Sequence, residues 1–346
     1  MSTPTPVPVT FSVEPKEIGP AKIAAWVFPP ARESLSEGLA PMWLLCIPGA
    51  TYRGLAYFDR QVPGFSPFAY SMARVLAAQG IGSVVIDNLG TGDSPLPPHV
   101  SGWQLTLSVY ADAYRQLTEQ LRERLACGTL VSGLAPLDAR RLFLVGVGHS
   151  MGAMLAIALQ ASYPVCDALC LLGFGATIPF AQLCSQVGLS NDAAAIAQSV
   201  TPAGYLPPAM RSVLRAFFYS PAVPAALKEA DEQDAVLIPA GLLALLSGNL
   251  AEDQARIRCP LFLGFAADRE ATAQPQREPE AYANVHSLTL FVQSNAYHCA
   301  NFEPTRFDLW DEIAAWLRHK AVQARGGGKT PLLDEVDLFA TGPLAS

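Results

Sequence analysis

Short apolar runs alternate with helix-forming stretches along most of the chain. The runs at residues 42–47 and 142–147 have no polar interruption, which is typical of central strands of a parallel sheet that are buried on both faces. The pattern predicts further strands at 81–86, 167–175, 259–268 and 287–292, and helices at 67–78, 103–126, 153–160 and 305–322.

Both ends of the chain depart from this pattern. Residues 10–14 alternate between apolar and polar side chains, as an edge strand does, and residues 22–28 are predicted to pair with them. Residues 1–10 are rich in Pro and Thr and are expected to be loosely held. Residues 323–346 begin with Gln-Ala-Arg-Gly-Gly-Gly and are expected to form a flexible tail, in which the segment LLDEVDLF could dock on the rest.

The segment from residue 177 to about residue 250 has a different character. Short helical stretches alternate with prolines, and no strand of the core type is predicted there. Its longest uncharged run, residues 235–251, falls just short of a membrane span and contains Pro239, Gly241 and Gly248. We interpret this run as a buried or pocket-lining helix rather than a membrane segment.

Composition narrows the class of protein. Of the 346 residues, 51% are hydrophobic and 15% charged, which excludes a disordered chain and leaves apolar surface for a large core, a pocket or a homo-oligomer interface. The net charge of −7, without basic runs, argues against nucleic acid as a partner. The seven cysteines form no zinc motif, and the start of the chain lacks the features of a signal peptide. These features predict a cytoplasmic protein with free thiols and without stable membrane insertion.

The strongest chemical signal is RLFLVGVGHSMGA at residues 141–153. An apolar run leads into a G-x-S-x-G motif centred on Ser150, and a helix-forming stretch follows directly. The motif alone is weak, but a strand, a sharp turn and a helix are the context that it requires. Its glycines, Gly148 and Gly152, allow neighbouring backbone to approach closely. An exposed serine at a glycine-rich strand end is the alternative interpretation.

This segment resembles the nucleophile elbow of the α/β-hydrolase superfamily. The resemblance implies an α/β fold with a mostly parallel central sheet, helices on both faces and an inserted helical cap. It divides the chain into a core at 1–176 and 251–322, a cap at 177–250 and a tail at 323–346. It also implies that Ser150 is the nucleophile, that the Met151 N–H is one oxyanion donor, and that an acid and then a histidine follow along the chain.

Two further loops are similar to loops of this superfamily. After the predicted strand 42–47, Pro48 and Gly49 stand where many members have His-Gly, and the resemblance makes the Ala50 N–H the second oxyanion donor. A plain turn is the alternative for this loop. Residues 87–94 (DNLGTGDS) resemble a D-x-x-G-x-G-x-S turn that is structural, so we assign them no catalytic role.

Of the five histidines, only His298 follows a strand end on a loop downstream of the candidate acids. His149 lies inside the motif, where its side chain is expected to point away from the serine. His99 precedes the motif, His286 precedes the last predicted strand, and His319 lies deep in the final helix. The H-x-x-N-F sequence that begins at His298 resembles the superfamily's histidine loop, so His298 is the predicted base.

Two carboxylates compete to orient this histidine. Asp268 directly follows the apolar run of strand 259–268, which corresponds to the strand that bears the acid in the superfamily, whereas strand 167–175 ends without an acid. Glu270 lies two residues further on, in a loop whose path the sequence does not define. An orienting carboxylate must be held rigidly, which favours Asp268 over Glu270. An exposed loop acid is the alternative for both.

Together these residues predict a carboxylesterase-like serine hydrolase without metal or organic cofactor. It would cleave a carboxylic ester, lactone or thioester of a hydrophobic small molecule through Ser150, His298 and Asp268 and an acyl-enzyme. A carbon–carbon bond hydrolase or a cofactor-free perhydrolase would use the same triad, and a non-catalytic ligand receptor would keep the same fold. The candidate substrate-binding residues are Tyr52, Leu206, Met210, Phe217, Phe218 and Leu242. Ordinary packing is the alternative for each of them.

Overall fold

A nine-stranded, mostly parallel sheet forms the centre of the molecule. The computed structural model describes residues 5–31, 40–176, 198–207, 210–242, 250–325 and 336–338. The strands are β1 (Val7–Val13), β2 (Ala21–Phe28), β3 (Met42–Ile47), β4 (Gly82–Ile86), β5 (Phe143–His149), β6 (Ala168–Leu172), β7 (Tyr205–Leu206), β8 (Ile238–Pro239), β9 (Leu261–Ala266), β10 (Leu288–Gln293) and β11 (Val336–Leu338). The sheet order is β1-β2-β4-β3-β5-β6-β9-β10-β11, while β7 and β8 form a separate antiparallel pair. Among the described strands of the large sheet, the pairings of β2 with β1 and β4 are antiparallel and the others are parallel.

Helices cover both faces of this sheet. They are α1 (Gly54–Phe58), α2 (Met72–Ala78), α3 (Leu107–Cys127), α4 (Met151–Ser162), α5 (Met210–Phe218), α6 (Ala225–Gln233), α7 (Ala251–Arg256) and α8 (Arg306–Arg325), with 3₁₀ turns at Gly102–Gln104, Pro275–Ala281 and Ala300–Phe302. Successive residues of β3 alternate between two apolar clusters, one shared with α3 and α4 and the other with α1, α2 and α8. Because side chains of a strand point alternately to its two faces, these clusters are the two cores on either side of the sheet.

The predicted fold class is confirmed, and most predicted elements agree with the structure within a few residues. The predicted helix at 67–78 begins only at Met72, and the first turn of the helix predicted at 103–126 is a separate 3₁₀ turn. The interpretation of 235–251 as one helix is wrong, because residues 238–239 form β8 and residues 240–242 a 3₁₀ turn.

Parts of the predicted cap and tail lie outside the described residues, namely 177–197, 208–209, 243–249, 326–335 and 339–346. Where the tail is described, α8 continues to Arg325 and β11 pairs in parallel with β10, so these two stretches are regular structure. No helix of the described ranges is long and apolar enough to cross a membrane.

The parallel strands bring several loops to one edge of the sheet. The loops that follow β3, β5, β6, β9 and β10 all leave at the carboxyl ends of their strands. In open α/β sheets this edge is the usual place for a ligand site.

Candidate active site

Ser150 occupies a strained turn between β5 and α4. Its φ of 52° and ψ of −117° are unusual for a residue with a side chain. Its N–H donates to the Leu172 carbonyl at the end of β6, 2.8 Å away. A methyl group added to Gly152 would lie 2.1 Å from the Ile47 oxygen, and one on Gly148 2.3 Å from the Gly152 oxygen. The surrounding backbone therefore approaches so closely that it holds the turn in its strained form.

A second turn, residues 49–52, lies against this serine. The Tyr52 N–H donates to the Gly49 carbonyl (3.3 Å), and Thr51, the third residue of the turn, has a φ of 66°. A positive φ at this position is the mark of a type II turn, in which glycine is the usual residue. A methyl group on Gly49 would lie 3.3 Å from Ser150 Cβ. Ala50 thus lies in the middle of a turn that packs beside the serine, and Met151 is the first residue of α4.

His298 is buried, with 3% of its surface exposed, and its Nδ1 lies 2.5 Å from Glu270 Oε1. Glu270 in turn accepts hydrogen bonds from the N–H groups of Ala266 (3.0 Å) and Ala271 (2.7 Å). A carboxylate oxygen accepts hydrogen bonds, so Nδ1 is the donor in this contact, and Nε2 lies on the side of the ring that faces away from Glu270.

The contact expected between Asp268 and His298 is therefore replaced by Glu270. Beyond the end of β9 the backbone continues to pair with the β10 side, because the Asp268 N–H donates to the Ala296 carbonyl (3.1 Å). The Asp268 side chain is exposed to solvent. Glu270 instead turns back, and its longer side chain reaches the Ala266 N–H and the histidine together.

The side chain of His149, which the sequence analysis expects to point away from the serine, lies against the histidine loop. Its Nε2 lies 3.0 Å from the His298 carbonyl oxygen, and its ring stacks on Tyr57 at 4.1 Å. Burial, with a smaller contribution from neighbouring His298, lowers the pKa of His149 well below its usual value. The ring is therefore neutral at pH 7 and donates from Nε2 to the carbonyl, while its Nδ1 has no hydrogen-bond partner among the described residues. No sequence signal identified this contact.

Two predicted substrate-binding residues cover the histidine. The rings of Phe217 and Phe218, at the end of α5, stack on the His298 ring at 4.7 and 5.6 Å. The Phe218 carbonyl accepts from the Cys299 N–H at 3.0 Å. Of the remaining candidates, Tyr52, Leu206 and Leu242 are buried, and the Met210 side chain lies outside the described residues.

A buried charge network lies behind the turn at residues 49–52. Arg211 of α5 and Asp231 of α6 are 2% and 0% exposed, and they form an ion pair of 2.7 Å. Burial and the nearby Asp231 raise the pKa of Tyr52 well above its usual value, although Arg211 opposes the shift, so its hydroxyl stays protonated. This pair leaves no signal in the sequence, because the two residues come from separate helices and their charges are typical of solvated helix faces.

The described residues contain no group of three or more His, Cys, Asp and Glu side chains placed to hold a metal ion. The candidate reactive groups are the strained Ser150, the buried His298 and the Glu270 carboxylate. Such a set is suited to nucleophilic attack on an electrophilic carbon.

A family model described as the alpha/beta hydrolase family matches residues 44–308, which spans more than half of the sequence. The chain belongs to this family. The match confirms the resemblance on which the predicted superfamily rested. Among curated proteins, no sequence matches the chain significantly.

Solved structures of similar fold include several hydrolases. A proline iminopeptidase of Mycobacterium smegmatis shares 14% identity with a TM-score of 0.60, covering 91% of this chain and all of its own. An esterase of Thermogutta terrifontis shares 14% identity with a TM-score of 0.60, with coverages of 90% and 98%. An N-acyl homoserine lactonase shares 20% identity with a TM-score of 0.53, with coverages of 90% and 97%. At these identities the likeness concerns the fold.

Proposed function

We propose that this member of the alpha/beta hydrolase family is a serine hydrolase with Ser150 as nucleophile, His298 as general base and Glu270 as the orienting acid. The 2.5 Å contact between His298 Nδ1 and Glu270 is the observation that carries the proposal. It directs the free Nε2 away from the acid, as a base that takes a serine proton requires. The left-handed turn at Ser150 is the second support.

The reaction follows from these roles. His298 Nε2 takes the proton of the Ser150 hydroxyl as Oγ attacks the carbonyl carbon. The N–H groups of Met151 and Ala50 stabilise the negative charge that develops on the carbonyl oxygen. The histidine then protonates the leaving alcohol or thiol. It next takes a proton from water as the water attacks the acyl-enzyme, and it returns this proton to Ser150 Oγ as the acid is released.

For the substrate we propose a carboxylic ester, lactone or thioester with an apolar acyl or alcohol part. The apolar side chains around His298, those of Phe217 and Phe218, support an apolar substrate. The solved structures of an esterase and a lactonase with this fold are compatible with such chemistry. A carbon–carbon bond hydrolase or a perhydrolase would use the same residues, so substrate trials must separate these reactions.

A fluorophosphonate probe and a panel of p-nitrophenyl esters test the proposal. The wild-type protein should be labelled and should turn over esters with a preference for longer acyl chains, whereas Ser150→Ala should do neither. Ser108→Ala, which changes an exposed serine, should behave as wild type. A folded wild-type protein that is not labelled would point to a ligand receptor, and labelling without ester, lactone or thioester turnover would point to the other reactions.

A further inference from the structure

Arg211 is bonded to the turn beside the serine through two separate groups of Thr51. Its Nε donates to Thr51 Oγ1 and its Nη2 to the Thr51 carbonyl oxygen, each at 2.9 Å. The guanidinium also lies 3.7 Å from the centre of the Tyr52 ring. One buried side chain of α5 therefore fixes two consecutive residues of the turn.

Asp231 holds this arginine in place and extends the contact to the histidine loop. It accepts from Arg211 Nη1 (2.7 Å), from Arg60 (2.8 Å) and from the Tyr52 hydroxyl (2.9 Å). The Tyr52 hydroxyl also lies 3.1 Å from the sulfur of Cys299, the neighbour of His298. The network thus joins the turn at 49–52 to the loop that carries the histidine.

The conformation of Thr51 explains why such a clamp is needed. A β-branched residue with a φ of 66° is strained, and such a conformation persists only where the surroundings determine it. A buried ion pair adds little net stability, because the loss of hydration offsets the attraction. What Arg211 supplies is geometry, since its planar group fixes both the hydroxyl and the carbonyl of one residue.

We infer that Arg211, held by Asp231, is a positioning residue for the oxyanion turn, so that helices α5 and α6 set the direction of the Ala50 N–H. The inference rests on the proposed function, in which this N–H stabilises the transition state. The inference goes beyond the proposed function because it assigns the geometry of the oxyanion turn to two residues that have no role in the proposed chemical steps.

Steady-state hydrolysis of a p-nitrophenyl ester tests the inference. Arg211→Lys, and Arg211→Met combined with Asp231→Asn, in which Arg60 keeps its ion pair with Asp234, should lower kcat on the order of 10²-fold, as loss of one oxyanion donor does. KM should change by less than about threefold, because the lost interaction forms only in the transition state. The matched control is Arg74→Met with Asp59→Asn, a buried pair at 2.6 Å between α2 and the end of α1, which should leave kcat unchanged.

Replacing Thr51 by glycine tests whether Arg211 acts by positioning the turn or only by stabilising the fold. Thr51→Gly removes the conformational strain, because glycine adopts a positive φ without cost. In that background, Arg211→Lys should lower kcat by less than about tenfold. If the double variant Arg211→Met with Asp231→Asn does not fold, the kcat of Arg211→Lys is compared with and without Thr51→Gly instead.

The outcomes distinguish the inference from the proposed function. If the wild-type protein is labelled by fluorophosphonate and hydrolyses esters, but the Arg211 variants lose no more kcat than the Arg74 control, the inference is overturned alone. An equal loss of kcat with and without Thr51→Gly also overturns it. A folded wild-type protein with neither labelling nor turnover overturns the proposed function and the inference with it.

Discussion

The turn at Ser150, the proposed nucleophile, and the turn at residues 266–271, which carries the proposed acid Glu270, lie at the same edge of one sheet, but different forces hold them. We call them the nucleophile turn and the acid turn. At the first turn, Gly148 and Gly152 leave backbone atoms so close that no side chain fits. At the second, a single side chain organises the loop, because Glu270 accepts the N–H groups of Ala266 and Ala271. The first turn is set by backbone contact and the second by hydrogen bonds of a carboxylate.

This difference determines how each turn responds to substitution. Close backbone contact leaves no room to relax, so a change there is expected to appear as lost stability. A hydrogen-bonded side chain that also contacts His298 is expected to show its loss in catalysis, provided that the replacement keeps an acceptor for the loop.

The largest effect is expected at the acid. Glu270→Gln keeps an acceptor for only one of the two loop N–H groups, which bond to different carboxylate oxygens, and it loses the charge beside His298, so the wrong histidine tautomer is favoured. We expect kcat for ester hydrolysis to fall on the order of 10³–10⁴-fold, with a loss of about 1–3 kcal/mol in the free energy of unfolding from the unpaired N–H. Asp268→Asn is the matched control, since its side chain is exposed, and it should change kcat by less than about threefold. The reverse ranking would return the acid to Asp268.

A smaller effect, on the free energy of unfolding, is expected at the nucleophile turn. Gly152→Ala places a methyl group 2.1 Å from the Ile47 oxygen, and backbone must shift to accept it. We expect the free energy of unfolding in urea to fall by about 3 kcal/mol. Gly64→Ala is the comparison, because nothing lies within 4 Å of the added group at its φ of 85°, and it should cost about 1–2 kcal/mol from backbone conformation alone. Equal losses for the two variants would contradict the view that close contact holds the turn.

The same difference explains which parts of the site could be predicted from the sequence. A turn that requires glycines leaves a fixed pattern, so the position of Ser150 was identified from five residues and their flanking strand and helix. The buried strands could also be predicted from the sequence, because each coincides with an uninterrupted apolar run.

The acid turn left no such pattern. Distance from the strand end favoured Asp268, but the choice depends on which side chain reaches the Ala266 N–H, and that follows from the path of the loop. The contacts of Arg211 with Thr51 span 160 residues of sequence, and they depend on how two helices pack over the sheet. Local sequence motifs carry no information about contacts between residues so far apart in the chain.

The smallest predicted effect is a change in the pH dependence of stability, and it concerns His149, which joins the end of β5 to the histidine loop. Because burial lowers its pKa in the folded protein, the unfolded chain binds more protons below about pH 6.5. The stability that the neutral ring contributes is therefore present at higher pH and is lost as the pH falls through that value.

His149→Phe keeps the stacking on Tyr57 and removes this titration. Between pH 6.5 and 5.5, unfolding in urea should show the wild-type protein losing about 1 kcal/mol more than the variant. His319→Gln, at an exposed histidine, should follow the wild type. Equal pH dependence of the wild type and His149→Phe would mean that burial does not lower the pKa of the His149 ring.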